Sequence, residues 1–335
     1  MIMSPNPNKH TSRMIKAIDL GFDNAQPKMS PDAQFGFRAI LKTNGVEISN
    51  ESLDMEFDIP FDDDMVANEA EFVIYNLSWN TINQFKNGNP ITMTAGYGAD
   101  TGVIFDGFIS KVSTKSEGVD RVTTICALDD VKYTPQMMSE KTYAKGTKAS
   151  TILKDLLSKT GLQIEAFSPT RDYTYQDETK IEGSITENIK KYCEVCGVSA
   201  YVYKQRIYCR SLKDGDNLYF NVNSDTGMID SPEPFEEETS SENYTDTITG
   251  YDVNMILQHR ISTAGIVKLD SKSYKGEFRI KSGNHSYDGL SATTRFKCID
   301  TIKTTIQKED IKEDVENIDL DELEKELDEI EDEGA

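Results

Sequence analysis

The stretch that decides the fold covers residues 71–112 and reads EFVIYNLSWNTINQFKNGNPITMTAGYGADTGVIFDGFISKV. Its first seven residues are mostly apolar and β-prone, which predicts a strand with side chains packed on both faces. Ser78 then offers a side-chain oxygen that caps a short helix. Three apolar residues follow at intervals of three and place one apolar stripe on that helix: Trp79, Ile82 and Phe85.

Beyond the helix the spacing of apolar residues changes from three to two. Gly88 and Pro90 end the helix, and residues 91–97 alternate apolar with polar or small side chains. A turn over 98–102 and a returning strand over 103–112 complete a hairpin. The pattern is typical of a β-barrel with a helix packed against it. It predicts a buried Trp79 whose replacement by alanine costs about 3–5 kcal/mol.

Working outward, further strands are predicted on both sides of this stretch. Asn44-Gly45 is a hairpin signal between strands over 35–41 and 46–55. Residues 121–128 alternate again and place four side chains on one face: Val122, Thr124, Cys126 and Leu128. Residues 31–135 are therefore predicted to form a first antiparallel β-barrel domain.

Three adjacent carboxylates in this region raise the question of a metal site: Asp62, Asp63 and Asp64. Adjacent side chains diverge, and the alternating spacing of a calcium loop is missing. We interpret them as a solvated loop.

Residues 144–213 have helical spacing and are predicted to form a small α/β domain. Thr147 or Ser150 caps a first helix, and Ser184 opens a second with a capping-box pattern. A strand over 162–164 and a hairpin over 198–210 accompany them. The predicted apolar faces are Ile152, Leu153, Leu156 and Leu157 on the first helix, and Ile185, Ile189, Tyr192 and Val195 on the second.

The cysteines and histidines give little support for a chemical site. Cys193 and Cys196 form one CxxC. A CxxC can be a redox pair or half a metal site. It can also be two small apolar residues on one helix face, which is the interpretation we favour. The three histidines are far apart, without HxxxH or HExxH spacing: His10, His259 and His285. We predict no catalytic residue, no metal and no cofactor.

Strands return in residues 214–304, after an acidic segment over 232–243 that is predicted to be a loop or linker. Strands are predicted over 250–259, 265–269, 277–281 and 293–299. The expected turns between them lie at Gly283, Asn284 and Gly289. This region is predicted to be a second antiparallel β-barrel domain.

Acidic charge is concentrated at the end of the chain. The net charge is −22, of which residues 308–335 contribute −12 through 15 carboxylates and 3 lysines, leaving −10 for the rest. A protein that binds nucleic acid through its phosphates needs a positively charged surface. A negatively charged surface repels the phosphate backbone, so a nucleic acid can pass it without binding. Residues 305–335 are predicted to be an acidic tail, helical or disordered, that is dispensable for folding.

Residues 1–30 are predicted to be a flexible arm. No run approaches the roughly 18 apolar residues of a membrane span, and no N-terminal stretch has the pattern of a signal peptide. A soluble chain without a membrane-spanning segment, intracellular at synthesis, is expected.

In their order, these segments resemble the baseplate hub proteins of tailed bacteriophages and contractile injection systems, the tail hub family that includes late control protein D. The order strand–SWNTINQFKNGNPITMTAGYG–GVIFDGFISKV–RVTTICALDD resembles that family's first barrel. GTKASTILKDLLSKTGLQI and SITENIKKYCEVCGVSAYVYKQRIYCRS resemble its α/β domain. FRIKSGNHSYDGLSATTRFKCID is similar to the closing hairpin of its second barrel, where a histidine (His285) lies near an Asp-Gly turn. The likeness covers roughly residues 34–300.

The resemblance implies a mainly β fold with an α+β insert, in which two tail-tube-like β-barrel domains flank the small α/β domain. It implies a homotrimer whose barrels form a pseudo-sixfold ring. That ring would join the hexameric tail tube or a distal tail protein to the threefold spike or tip, beside other baseplate proteins. The channel would carry the tape measure protein and then the genome during DNA ejection, without specific binding. The expected location is the virion tail baseplate, after assembly in the host bacterial cytoplasm.

Two other classes of function are open at this point. A tail adsorption or carbohydrate-binding β-module would expose aromatic side chains, for which the candidates are the pairs Tyr173 and Tyr175, and Tyr201 and Tyr203. A hydrolase would need a carboxylate pair in a cleft, and Asp106 or Asp129 could serve. We expect a virion structural protein and no enzyme.

Overall fold

The computed structural model describes residues 36–129, 137–203, 206–241 and 244–306. The predicted N-terminal arm and all but the start of the predicted acidic tail lie outside these residues. The described chain is mainly β, as predicted. Within the same ranges, no helix is both long enough and apolar enough to cross a membrane.

The first β region is a run of strands interrupted by one short helix. Its elements are β1 (Phe37–Thr43), β2 (Val46–Ser49), β3 (Met55–Phe61), β4 (Glu69–Tyr75), α1 (Trp79–Ile82), β5 (Pro90–Tyr97), β6 (Asp100–Glu117) and β7 (Asp120–Leu128). The strands pair in the order β3-β4-β7-β6-β5-β1-β2. β6 is long because it serves two partners: residues 100–108 pair with β5, and residues 108–117 pair with β7.

One strand prediction in this region needs correction. β2 ends at Ser49 instead of continuing to residue 55, where β3 begins in another part of the sheet. The Asn50 side-chain oxygen accepts a hydrogen bond from the Ala39 N–H (2.8 Å), which takes that donor away from the ladder. The alternation in β7 is confirmed: Thr123, Ile125 and Ala127 are fully buried on one face, and Val122 is also buried on the other.

The helix prediction is right about the start of α1 and wrong about its packing. The Ser78 side-chain oxygen accepts a hydrogen bond from the Thr81 N–H (3.1 Å), as expected of a cap. The helix is a single turn, so buried Phe85 lies beyond its end. Trp79 is 58% exposed, and the Arg121 guanidinium lies 4.5 Å from its ring centre. The prediction of a buried indole is therefore wrong.

The α/β module, residues 137–211, consists of two helices and two small sheets. Its elements are β8 (Met137–Tyr143), α2 (Ala149–Lys159), β9 (Gln163–Phe167), β10 (Thr179–Ser184), α3 (Ile185–Cys196), β11 (Val198–Tyr203) and β12 (Arg206–Ser211). β8 pairs with β10, and β12 pairs antiparallel with β11 and parallel with β9. All eight apolar residues predicted for the two helix faces are buried.

The N-terminus of α2 donates hydrogen bonds to Asp172, a residue distant in sequence, and not to the side chain at the cap position. Lys148 occupies the cap position in place of the predicted Thr147 or Ser150. The Asp172 carboxylate accepts hydrogen bonds from the backbone N–H (2.9 Å) and the hydroxyl (2.7 Å) of Ser150. It thereby supplies the negative charge that a helix N-terminus favours. Ser184 caps α3 as predicted.

The second β region contains a strand where a loop was predicted. Its elements are β13 (Asp216–Val222), β14 (Glu233–Ser240), β15 (Tyr244–Ile256), β16 (Gly265–Asp270), β17 (Lys275–Tyr287) and β18 (Ala292–Ile306). The acidic segment over 232–243 contains β14, which pairs with β15 along its whole length. Lys281 and Lys297 both contact the Glu237 carboxylate, so this acidic strand lies beside two cations. The predicted turn at Gly289 is confirmed by its left-handed backbone (φ 87°).

β17 joins the two β regions. It pairs with β18 on one side and, through residues 283–287, with residues 57–61 of β3 on the other. We call this β17–β3 pairing the seam. Gly283 and Asn284, predicted to mark a turn, lie inside the strand. A Cβ on Gly283 would lie 2.6 Å from the Arg295 carbonyl oxygen, so glycine is needed for the close approach of the strands rather than for a turn.

Because of the seam, one sheet of thirteen strands extends across both β regions of the described chain. The buried apolar side chains of the same residues form three clusters: one in the first β region, one in the α/β module and one in the second β region. The domain boundaries proposed from the sequence stay predictions.

Candidate functional site

The loop after β3 lies where the three apolar clusters meet. Ile59 belongs to the cluster of the first β region, Phe61 packs against that of the second, and Met65 belongs to that of the α/β module. The three adjacent aspartates fall between these anchors. We call the loop, the cations that bind its aspartates and the serine that one of these cations contacts the junction; it comprises Asp62, Asp63, Asp64, Lys190, Ser199 and Arg279.

Asp63 forms a buried ion pair with Arg279 of β17. The Nη1–Oδ2 distance is 2.6 Å, and the side chains are 1% (Arg279) and 10% (Asp63) exposed. Arg279 also donates from Nη2 to the Ser199 hydroxyl (3.0 Å) and from Nε to the Asp214 carbonyl oxygen (3.0 Å). All three nitrogen atoms of the guanidinium therefore have an acceptor. A buried ion pair is tolerated when its remaining hydrogen-bonding groups are satisfied in this way. The pair ties the β3 loop, the α/β module and β17 together.

The other two aspartates have different surroundings. Asp64 forms an ion pair with Lys190 of α3 (2.9 Å). Asp62 accepts a hydrogen bond from the Asp64 N–H (3.2 Å). Burial, together with the charge of Asp64, raises the pKa of Asp62 from 3.8 to about 6. The junction therefore combines two ion-paired carboxylates, Asp63 and Asp64, with a third whose pKa is raised.

The prediction of a solvated loop is wrong at Asp63. Its counter-ion lies 216 residues later in the chain, so no local pattern can reveal the pair. The sequence around the partner, Arg279, gives a weaker indication of the pair. Arg279 stands between Phe278 and Ile280, and all three are buried. A charged residue inside an apolar strand segment indicates a buried partner.

A second arginine fastens the α/β module to the sheet. Arg171 makes two hydrogen bonds of 2.6 Å to the Asp246 carboxylate of β15. It also donates to the Val195 (2.9 Å) and Glu194 (2.5 Å) carbonyl oxygens at the end of α3. A cation at a helix C-terminus is favourable because those carbonyls lack helical partners. Its guanidinium lies over the Tyr244 ring, 4.3 Å from the centre.

Side chains also connect the two β regions, at the seam and beside it. Arg260, in the loop after β15, forms an ion pair with Asp100 at the start of β6 (2.6 Å). Buried His285 of β17 shares a 2.8 Å hydrogen bond with the Thr294 hydroxyl and packs against Phe61 of β3. Burial lowers the pKa of His285 to about 4, so its imidazole is neutral at pH 7.

The residues that the sequence marked as candidates for chemistry have structural contacts. Cys193 and Cys196 are buried on α3, and burial raises the pKa of the Cys196 thiol to about 12. The Asp106 carboxylate accepts a hydrogen bond from the Thr92 hydroxyl (3.1 Å). Asp129 accepts hydrogen bonds from the backbone (3.0 Å) and side chain (3.2 Å) of Asn68. The described residues contain no group of His, Cys, Asp or Glu arranged to hold a metal ion.

The tyrosine candidates are largely packed. Tyr175 and Tyr201 are buried. Tyr173 meets Tyr175 edge-on, with ring centres 4.9 Å apart. The Tyr203 side chain lies outside what the structure describes. Tyr173 and Tyr175 therefore contribute to the core of the α/β module.

Solved tail proteins share this fold. The chain is similar to the tail protein from Neisseria meningitidis MC58, with a TM-score of 0.51 at 10% identity over 79% of this chain and 97% of that one. It is similar to the 43 kDa tail protein of prophage MuSo2 from Shewanella oneidensis, with a TM-score of 0.51 at 8% identity over 78% and 96%. At these identities the likeness shows the fold alone. Among curated proteins, none matches the chain.

The sequence match is more specific than the fold. Residues 41–280 match the family model described as baseplate hub gp41. That range includes β3, the junction, the α/β module and Arg279, and it covers more than half of the chain. The chain belongs to the baseplate hub gp41 family, a family of phage tail proteins.

Proposed function

We propose that the chain is the structural hub of the baseplate or tail tip of a phage or phage-tail-like particle. It acts as a homotrimer in which two β regions per subunit form a pseudo-sixfold ring. The ring joins the hexameric tail tube, or a distal tail protein, to the threefold spike or tip protein. Its location is the virion baseplate, beside other baseplate proteins, after assembly in the host cytoplasm.

The observation that carries this proposal is the seam. Main-chain hydrogen bonds between β17 and β3 hold two β regions side by side in one sheet. Three copies would present six such regions around one axis. The six regions match a sixfold partner, and the three chains match a threefold partner. Backbone pairing fixes the relative position of the two regions without depending on long side chains.

Charge supports a channel through the ring. Outside residues 308–335 the chain carries a net charge of −10. A negative lumen repels the phosphate backbone and lets the tape measure protein and then DNA pass without specific binding.

We also propose that the chain is not an enzyme. Asp106 and Asp129 border the same cleft, but Asp106 is bound to a threonine hydroxyl and Asp129 to both amides of Asn68, contacts that order loops and strands. A cell-wall gel assay is expected to show no lytic zone. A zone that Asp106→Asn removes would contradict this expectation. The adsorption or carbohydrate-binding alternative is weakened because Tyr175 and Tyr201 are buried.

The test of the hub proposal is the mass of the purified full chain by light scattering, followed by negative-stain imaging. A mass near three times 37.6 kDa and a threefold ring with a central hole are expected. Mixing the chain with the tail-tube protein of its own particle is expected to produce a stacked complex. A monomer that also fails to bind that tube protein would contradict the proposal.

A further inference from the structure

A cleft of about 550 Å³ opens beside the junction. The loop over 62–68, the first half of β6, the loop after β15 and β11 border it. Two apolar side chains on its surface are exposed, Val66 (44%) and Val103 (57%). Exposed apolar side chains gathered in a concavity indicate a binding surface rather than ordinary solvent-facing surface.

The cleft is acidic as well as apolar. Four carboxylates border it: Asp62, Asp64, Asp106 and Asp129. Lys190 neutralises Asp64, but in the described part of the chain no lysine or arginine lies within ion-pair distance of Asp62 or Asp106. His259 also lines the cleft, and burial lowers its pKa, so it is neutral at pH 7. The surface therefore favours an occupant that is both cationic and apolar.

The beginning of the chain has the complementary composition. In a protein of net charge −22, residues 9–20 carry a net charge of +2, from three cations (Lys9, Arg13 and Lys16) and one carboxylate (Asp19). Apolar residues lie among these cations: Met14, Ile15 and Ile18. This combination of charge and apolarity matches the cleft.

The described chain also begins close to the cleft. The Gly36 carbonyl oxygen accepts a hydrogen bond from the Gly98 N–H (3.2 Å) in the β5–β6 turn. From that turn, β6 reaches Val103 within a few residues. The segment between residues 18 and 36 can span up to about 60 Å, far more than this path requires.

We propose that residues 9–20 occupy this cleft of their own chain. Arg13 and Lys16 meet the carboxylates of Asp62 and Asp106, while the apolar side chains cover Val66 and Val103. The segment then fastens the junction to the first half of β6. This inference does not depend on the hub role.

The direct test is zero-length carbodiimide cross-linking of the full chain, read by mass spectrometry on unlabelled and nitrogen-15-labelled protein that were unfolded and refolded together in equal amounts, so that any oligomer contains both isotopes. Amide links from Lys9 or Lys16 to Asp62 or Asp106 are expected, always between peptides of the same isotope. Links between different isotopes would overturn the proposal, because the occupant would then be a second copy. Links from these lysines only to other carboxylates would overturn it as well.

A charge reversal gives an independent measurement. In Arg13→Glu/Lys16→Glu, amide hydrogen exchange in residues 62–68 and 100–106 is expected to become severalfold faster. Lys308→Glu/Lys312→Glu, which changes the net charge by the same amount outside the segment, is the matched control and should leave exchange unchanged. Adding Asp106→Lys to the double variant is expected to restore part of the protection. Equal exchange in the double variant and the control would overturn the proposal.

Discussion

The seam and the junction both connect parts of this molecule, but they do so with different forces. The seam is a ladder of main-chain hydrogen bonds over five residue pairs, with aromatic and apolar side chains around it. The junction depends on side-chain charges, above all on the buried pair between Asp63 and Arg279. Both involve the C-terminal end of β3. Residues 57–61 are bound by main-chain hydrogen bonds to β17, and Asp63 just beyond them is bound by its ion pair to Arg279.

This difference determines how each connection responds to change. A backbone ladder tolerates most substitutions, since side chains contribute little to its hydrogen bonds, but it is sensitive to anything that separates the strands. A buried ion pair is sensitive to the loss of either partner, because the remaining charge is left without compensation. The α/β module is therefore expected to loosen through single charge changes that leave the sheet intact.

The largest effect is expected from breaking the junction. Arg279→Ala leaves the Asp63 carboxylate buried without its counter-ion, and we expect the free energy of unfolding to fall by about 3–5 kcal/mol. Urea denaturation measures this. Arg295→Ala is the matched control, because Arg295 also binds an aspartate, Asp252, at 2.9 Å but is 64% exposed. The control should lose at most about 1 kcal/mol.

Replacing both charged partners would show whether the junction's charge itself is needed. Arg279→Met combined with Asp63→Leu is expected to recover most of the stability lost in Arg279→Ala, because no buried charge remains uncompensated. A double variant as unstable as the single one would mean that the packing around Arg279, and not its charge, dominates.

A smaller effect is expected from opening the seam. The added methyl group in Gly283→Ala would meet the Arg295 carbonyl oxygen and the Phe61 ring, so the strands must shift apart. Such overpacking costs about 1–3 kcal/mol. Hydrogen exchange in residues 283–287 should become faster, which locates the change in the seam.

Gly118→Ala is the control for the seam variant. Gly118 lies in the β6–β7 turn, where a Cβ meets nothing within 4 Å, although its φ of 62° favours glycine. We expect a cost of about 1 kcal/mol from the backbone and no change in seam exchange. If both variants accelerate exchange at residues 283–287 equally, the crowding at Gly283 is not what protects the seam.

Acid is expected to act on the two connections with opposite sign. The pKa of Asp62 in the folded junction, about 6, lies above its ordinary 3.8, so its charge destabilises the fold above pH 6 and this penalty disappears as pH falls toward 3.8. The pKa of His285 in the seam, about 4, lies below 6.5, so the unfolded chain binds the proton first. Stability is then lost as pH falls from 6.5 to 4.

Asp62→Asn separates these contributions. We expect the variant to exceed the wild type in free energy of unfolding by about 1 kcal/mol at pH 8, allowing for solvent screening, and to match it near pH 4. The variant should therefore lose stability more steeply in acid. Parallel pH curves for the two proteins would show that Asp62 titrates normally.

Local patterns in the sequence were sufficient for much of the fold. The alternation in β5, the apolar faces of α2 and α3 and the Ser184 cap depend on neighbouring residues, and the structure confirms them. β14 was missed because its acidic sequence is typical of a loop, while the lysines beside Glu237 come from β17 and β18. The Asp63–Arg279 pair was missed for the same reason.

Trp79 shows the limit of a spacing argument on a short segment. Intervals of three predict a shared helix face only while the helix continues, and α1 ends at Ile82. Trp79 is therefore an exposed side chain beside Arg121, whereas Phe85 is 5% exposed. Apolar spacing predicts which side chains are buried only when the helix continues for several turns.

The smallest effect is accordingly expected at Trp79, which belongs to neither the seam nor the junction. Trp79→Ala removes a cation–π contact at an exposed site, worth about 0.5–1 kcal/mol, instead of the larger cost expected for a buried indole. Phe85→Ala, a buried aromatic from the same segment, should cost about 3–5 kcal/mol by the same thermal or urea measurement. Equal losses in the two variants would place the Trp79 ring in the core.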